Sequence, residues 1–211
     1  MSGLTFKSRD GLDLVGELDA PEVIDAALVI CHAHPNMGGT MKSPLLIALR
    51  DAMLARGYAV LRFNFRGVEG SEGEPATGTE ETADAHGAVD LMKERFPEVP
   101  IAIAGWSFGA AVAIKTAAAR DDLSACVAIA PAVKEKTGVT AGLPTGEELA
   151  TRIPLLVVVG ADDDLTPSKD CRAWAEGAGI RYVEIPAANH FFWAKYIPLT
   201  EAVAGFLEEV V

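Results

Sequence analysis

Six short, mostly apolar runs alternate with longer segments of mixed polarity, and this alternation is the strongest constraint on the fold. The runs are rich in Val, Ile, Leu and Ala and cover residues 26–31, 59–65, 101–104, 125–130, 155–159 and 182–185. Apolar residues on both sides of a strand suit a sheet that is covered on both faces. The alternation therefore predicts a mainly parallel sheet with helices on both sides.

The segments between these runs carry helix signals. In one of them Ser43 stands at the N-cap, Pro44 follows at the first helical position, and Gly57 lies just past the end. Further helices are expected at about 79–95, 107–120, 167–176 with Thr166 as cap, and from 193 to the C-terminus. At the start of the chain, residues 4–6 and 12–18 flank Asp10-Gly11, a dipeptide typical of two-residue turns. This pattern predicts an N-terminal antiparallel hairpin.

Length and charge limit the classes of function. A chain of 211 residues without a linker tract is expected to form one domain over 1–211. Its net charge of −12 opposes binding to nucleic acid or to anionic membranes. No apolar run is long enough for a membrane span or a signal peptide, so a cytoplasmic location is expected. The three cysteines, Cys31, Cys126 and Cys171, are widely spaced and are expected to be reduced.

Gly105-Trp106-Ser107-Phe108-Gly109 lies between an apolar run and a predicted helix. In this context a G-x-S-x-G sequence forms a tight turn that exposes the serine at the start of the helix. The glycines remove side chains that would keep the strand from the helix. The motif predicts Ser107 as a nucleophile, with the N–H group of Phe108 as one donor for an oxyanion.

A serine hydroxyl needs a base, and the base needs a carboxylate to orient it. His190 follows the last apolar run and is the best placed of the four histidines. Residues 162–164 are three consecutive aspartates after the run 155–159, and the order Ser, Asp, His is typical of one large class of hydrolases. The motif itself does not separate the three aspartates, of which at least two are expected to be solvated.

The whole chain resembles the small, lidless α/β-hydrolases related to dienelactone hydrolase, a group described broadly as esterases. The resemblance rests on the G-x-S-x-G motif around Ser107 and on three further segments: His32-Ala33-His34-Pro35 with Gly38-Gly39-Thr40, Arg62-Phe63-Asn64-Phe65-Arg66-Gly67 with Ser71 and Gly73, and Asn189-His190-Phe191-Phe192. The family usually has His-Pro-His-Pro where this chain has Ala33, a difference expected to change only the stiffness of the loop. The resemblance implies an α/β-hydrolase fold without a lid domain, and without a metal or organic cofactor.

The resemblance also implies roles for particular residues. In the family the acid is usually the third residue after the strand-ending glycine, which selects Asp163, with Asp162 as second choice. The second oxyanion donor would be the amide of His34, with Asn36 as the alternative, since Pro35 has no N–H group.

Apolar side chains near these motifs are candidates for the substrate pocket. Trp106, Met37 and Phe191 are expected to line it, and Met41, Phe108 and Trp193 are further candidates for lining or for core packing. The connection 131–153, with a capping box at Thr145 and Glu148, is too short for a lid domain, so an open site is expected.

Together these features predict a serine hydrolase that cleaves small, short-chain esters through an acyl-enzyme on Ser107. The expected partner is a small-molecule ester, and the sequence is also compatible with a homodimer. Alternatives are a thioesterase, a lactone, dienelactone or short-peptide hydrolase with the same triad, or a non-catalytic binding module.

Other polar residues of the chain allow further interpretations. His32 and His34 are spaced as a metal pair could be. Arg66 could bind a substrate carboxylate, although residues 62–67 are expected to be structural. The carboxylates of 79–95 and 201–209 are expected to form solvated faces.

Overall fold

The computed structural model describes residues 2–133, 143 and 153–211. The predicted capping box at Thr145 and Glu148, and most of the connection in which no lid was expected, lie outside the described residues. Within them the chain forms an eight-stranded sheet. Its strands are β1 (Ser2–Lys7), β2 (Asp13–Asp19), β3 (Ala26–Cys31), β4 (Tyr58–Phe63), β5 (Ile101–Trp106), β6 (Ala125–Ile129), β7 (Leu155–Gly160) and β8 (Arg181–Ile185).

The strand order is β1-β2-β4-β3-β5-β6-β7-β8. The pairs β1–β2 and β2–β4 are antiparallel, and all pairs from β4 to β8 are parallel. The mainly parallel sheet with an antiparallel N-terminal hairpin is thus confirmed. Because the parallel strands all end at one edge of the sheet, the loops that follow β3, β5, β7 and β8 can meet there.

The predicted two-residue turn at Asp10-Gly11 is wrong. Lys7 is the last residue paired with β2, opposite Asp13, so five residues connect the strands. The longer loop has partners elsewhere, because Arg9 forms an ion pair with Asp90 at 2.7 Å and Asp10 pairs with a buried arginine described below.

Five α-helices cover the sheet in the described part of the chain: α1 (Pro44–Leu54), α2 (Glu81–Arg95), α3 (Phe108–Ala118), α4 (Ser168–Gly177) and α5 (Tyr196–Val210). One apolar cluster lies between the sheet and α2, α3 and α4, and a second lies between the opposite face and α1 and α5. Alternate residues of β3 contribute to the two clusters, as the side-chain alternation of a strand requires. Helices on both faces are therefore confirmed.

Of the two predicted helix caps, one is confirmed in position and the other is wrong. Ser43 occupies the N-cap of α1, but its hydroxyl donates to the carbonyl of Thr40 at 2.8 Å. Pro167, and not Thr166, is the N-cap of α4. The hydroxyl of Thr166 instead donates to Asp163, because the two side chains face each other in the loop after β7.

The expectation that the carboxylates of 79–95 are all solvated is wrong for two of them. Glu81 and Asp84 are fully buried. Glu81 accepts hydrogen bonds from the amides of Ala76 and Gly78 at 2.7 and 2.8 Å. These partners compensate the loss of water around a charged group. In the segment 201–209, Glu201, Glu208 and Glu209 are exposed, as expected.

The three cysteines are buried and free. No helix among the described residues has the length and apolarity needed to cross a membrane.

Candidate active site

The turn between β5 and α3 presents Ser107 at the edge of the sheet. Ser107 has φ 57°, a left-handed conformation that is uncommon for a residue with a side chain. A Cβ atom at Gly105 would collide with the backbone of Gly109, and one at Gly109 would collide with the backbone of β3 and the residue after it. Both glycines are therefore required by the close approach of the helix to the strands, as the motif predicts.

Three predicted residues lie in one chain of hydrogen bonds. Nε2 of His190 is 3.0 Å from Oγ of Ser107, and Nδ1 of His190 is 2.8 Å from Oδ2 of Asp163. His190 and Asp163 are only 6% and 5% exposed, so water competes little for these bonds. Asp162 and Asp164 are exposed, and neither takes the place of Asp163 beside the histidine.

The loop after β7 surrounds the Asp163 carboxylate with donors. Oδ1 accepts from the amides of Leu165 and Thr166 at 2.9 and 2.7 Å, and the Thr166 hydroxyl donates to Oδ2 at 2.8 Å. Burial raises the pKa of Asp163, but the hydrogen bonds from His190 and Thr166 outweigh it and lower the pKa below its ordinary value. The carboxylate is thus ionised at neutral pH and can hold the Nδ1–H group of His190.

Two backbone amides remain available beside Ser107. Among the hydrogen bonds of the described residues, none uses the amide of His34 or of Phe108. The two rings of these residues are in contact, with centroids 4.8 Å apart. The alternative donor Asn36 is already used, because its amide donates to Nδ1 of His34 at 3.1 Å. A Cβ at Gly39 would collide with the carbonyl of Ala33, so only a glycine lets this loop close so tightly.

His32 holds the loop after β3 through both of its ring nitrogens. It is fully buried, its Nδ1 donates to the carbonyl of Ala33 at 2.6 Å, and its Nε2 accepts from the amide of Phe65 at 3.0 Å. Burial lowers the pKa of His32 to about 4, so the ring is neutral at physiological pH. Since both ring nitrogens are occupied, the interpretation of His32 and His34 as a metal pair is wrong.

Arg66 lies in a buried ion-pair network and is not available to a substrate. Its guanidinium is 2.6 Å from Asp84 and 2.9 Å from Asp10, and its amide also donates to Asp84. Arg62 is likewise buried, paired with Glu17 at 2.7 Å. The structural interpretation of 62–67 is therefore correct, and the substrate-carboxylate role for Arg66 is wrong.

A cavity of about 420 Å³ opens beside Ser107. Its lining is largely apolar and includes the three predicted residues Trp106, Met37 and Phe191, as well as Trp193 and Phe108. Met41 is absent from the lining that the structure describes; it is buried, and its backbone bonds Asn64 and Arg62 instead.

Sequence reasoning did not place several residues in this lining, among them Leu45, Ala132, Leu165 and Tyr196. Leu165 follows the aspartate run, and its position could have been inferred once Asp163 was selected. Tyr196 begins α5 outside every motif, so no sequence signal identified it. Among the described lining residues there is no Asp, Glu, Lys or Arg.

A family model and several known proteins match this chain. A family model described as serine aminopeptidase, S33, matches residues 23–150. An uncharacterized protein of Rickettsia prowazekii is 29% identical to this chain. The matching region covers 85% of this chain and 77% of the Rickettsia protein.

Two solved structures match almost the whole chain. One is an α/β serine hydrolase homologue from Coxiella burnetii, with 27% identity, a TM-score of 0.85 and coverage of 100% of this chain and 97% of that one. The other is a protein of Xanthomonas campestris described as an α/β serine hydrolase without a lid, with 27% identity, a TM-score of 0.84 and coverage of 99% and 94%. The predicted resemblance to small lidless α/β-hydrolases is confirmed, whereas the relation to dienelactone hydrolase stays a prediction. This chain is therefore a hydrolase with the α/β-hydrolase fold, and it belongs to the S33 serine aminopeptidase family.

Proposed function

We propose that this protein hydrolyses small, short-chain esters through an acyl-enzyme on Ser107, with His190 as general base and Asp163 as the carboxylate that orients it. The observation that carries the proposal is the buried chain of hydrogen bonds from Asp163 through both nitrogens of His190 to Oγ of Ser107. A nucleophile, its base and an orienting group within hydrogen-bond distance are the requirement for this chemistry.

In the first half of the reaction, Oγ of Ser107 attacks the ester carbonyl while Nε2 of His190 takes its proton. The oxyanion is held by the amides of Phe108 and His34, of which the first also benefits from the helix dipole at the start of α3. His190 then gives the proton to the departing alcohol oxygen. In the second half, His190 activates a water molecule that releases the acid and restores Ser107.

An ester is favoured over a peptide with a free N-terminus, although the family model carries the name of an aminopeptidase. A free amino group is positively charged and is normally bound by a carboxylate. The described lining of the cavity has no acidic side chain, and Asp163 is buried behind His190. Thioesters and lactones place the same demands on the triad and differ only in the pocket.

The test is the release of nitrophenolate from p-nitrophenyl acetate, butyrate, octanoate and palmitate. We expect turnover fastest with the two short esters and lost in Ser107→Ala. Ser124→Ala, which alters a serine beside β6 outside the cavity lining, is the matched control and should keep full activity.

Three results would contradict the proposal. Hydrolysis that survives in Ser107→Ala would exclude this nucleophile. Rates that rise steadily with acyl chains beyond eight carbons would exclude the preference for short chains. Cleavage of amino-acid p-nitroanilides without cleavage of any ester would instead favour the aminopeptidase.

A further inference from the structure

Exposed apolar side chains are concentrated at the mouth of the cavity. Six large apolar side chains are exposed among the described residues, and four of them line this cavity: Met37, Leu165, Phe191 and Trp193. Met37 and Trp193 are 73% and 65% exposed. Single exposed apolar residues are ordinary, but a cluster at a pocket marks a surface that binds something apolar.

The backbone after His190 is shaped to present two of these rings. Phe192 is fully buried in the core, and its φ is 52°; Ala194 follows with φ 58°. Left-handed backbone at residues with side chains is unfavourable and persists where the surroundings enforce it, often at functional sites. Phe191 and Trp193, on either side of the anchored Phe192, are exposed and stack on each other, with centroids 5.1 Å apart and planes at 18°.

The stacked pair begins beside the base. The ring centroid of Phe191 is 5.6 Å from the imidazole of His190 in an edge-on contact, and Trp193 stacks on Phe191. A general base returns its proton to the leaving oxygen, so the alcohol part of the substrate has to depart next to the imidazole. The oxyanion donors belong to other elements, the loop after β3 and the start of α3. Phe191, which lies beside the imidazole, is therefore near the position from which the alcohol departs, and Trp193 extends this aromatic surface.

We infer that Phe191 and Trp193 form a binding subsite for the alcohol part of the ester, and that this part is a neutral aromatic or arylalkyl group. The inference rests on the proposed function. Flat rings bind best to aromatic faces, and an aromatic pair adds about 2- to 10-fold in binding beyond the effect of its apolar area. Among the described lining residues there is no Asp, Glu, Lys or Arg side chain to pair with an ionic alcohol.

The experiment compares 2-phenylethyl acetate with 2-cyclohexylethyl acetate. Both give the same acetyl-enzyme, and their rings differ in aromaticity more than in size. We expect kcat/KM to be about 2- to 10-fold higher for the aromatic ester. Trp193→Leu keeps an apolar side chain and should abolish this preference, whereas Trp193→Phe should retain most of it. Deacylation of the shared acetyl-enzyme should be unchanged.

Two controls separate the subsite from general effects. Ethyl 3-phenylpropanoate and ethyl 3-cyclohexylpropanoate carry the ring on the acyl side, so their rate ratio should be the same in wild type and in Trp193→Leu. Val23→Ala alters another exposed apolar side chain, outside the described cavity lining, and should change none of these ratios.

A ratio near one for the two acetates, or a preference that survives Trp193→Leu, would overturn the inference. A loss that follows the acyl-side esters would overturn the assignment to the alcohol. If no ester is hydrolysed, the proposed function fails, and the subsite is tested by the binding of 2-phenylethanol and 2-cyclohexylethanol in saturation-transfer NMR. Tighter aromatic binding that is lost in Trp193→Leu would support the subsite, and equal binding would refute it.

Discussion

Acidification should destabilise this protein through one buried histidine, His32. The ring is neutral in the folded state because burial lowers its pKa from 6.5 to about 4. Between these two values the unfolded chain binds a proton that the folded chain does not. The free energy of unfolding therefore falls as the pH drops through this window, and it does not change further below about pH 4 on account of this group.

The whole difference in pKa corresponds to about 3 kcal/mol, of which about 2–3 kcal/mol should be lost between pH 7 and pH 4.5. Urea unfolding followed by tryptophan fluorescence measures the free energy at both pH values. The reference is His32→Asn, which keeps a donor for the carbonyl of Ala33 but cannot titrate. Other groups also titrate in this range: the carboxylates, and His86, whose pKa is lowered to about 4 by burial and nearby arginines. These groups are present in both proteins, so the difference between the two free-energy changes isolates the contribution of His32.

Wild type should lose about 2–3 kcal/mol more than His32→Asn over this pH range. If instead the two free energies fall in parallel, His32 is not the group that takes up the proton, and the burial argument is refuted. His32→Gln, which keeps an acceptor for the amide of Phe65, is a second non-titrating reference should the asparagine variant fold poorly.

Two further predictions concern buried carboxylates. Asp163→Asn should lower kcat by about 10³- to 10⁴-fold, because His190 loses the carboxylate that orients it. Asp164→Asn alters the next, exposed residue and should leave ester hydrolysis unchanged. Equal losses in both variants would contradict the choice of Asp163 as the acid. Asp84→Asn should lower the free energy of unfolding in urea by about 3–5 kcal/mol, because Arg66 remains buried with its charge only partly compensated. A loss below about 1 kcal/mol, the scale of a surface ion pair and the expectation for the exposed Glu80→Gln, would refute that account.

The elements that carry the site could be predicted because their signals are local. Strands β3 and β5 are buried throughout, and apolar runs identify such strands without any knowledge of their neighbours. The turn at Ser107 is likewise specified within five residues, by two glycines whose missing side chains allow α3 to approach the strands closely. Since parallel strands end at one edge of the sheet, finding the motifs at strand ends is enough to predict that they meet.

What could not be predicted depends on contacts distant in sequence or on backbone direction within a loop. The three aspartates 162–164 have the same chemistry, so the residues themselves do not separate them and only the family resemblance selects Asp163. The course of the loop, which directs the amides of Leu165 and Thr166 toward Asp163, gives the physical reason. Asp84 looks like any helix-surface carboxylate until Arg66, 18 residues earlier, is placed beside it. Periodicity describes one element at a time and has no information on such partners.

The loops around Ser107 are joined to each other by hydrogen bonds between side chains and backbone, whereas the sheet and the helices that cover it pack through apolar side chains. His32 joins the loop after β3 to the amide of Phe65, and the indole of Trp106 donates to the carbonyl of His190 at 3.1 Å, which ties the loop after β8 to the end of β5. A single hydrogen bond of this kind contributes only about 1 kcal/mol to stability. Displacement of a reacting group by about 1 Å, however, can reduce a rate about a hundredfold. These bonds therefore matter more to the alignment of the reacting atoms than to folding, and a search for residues that control the rate should begin with them rather than with the core.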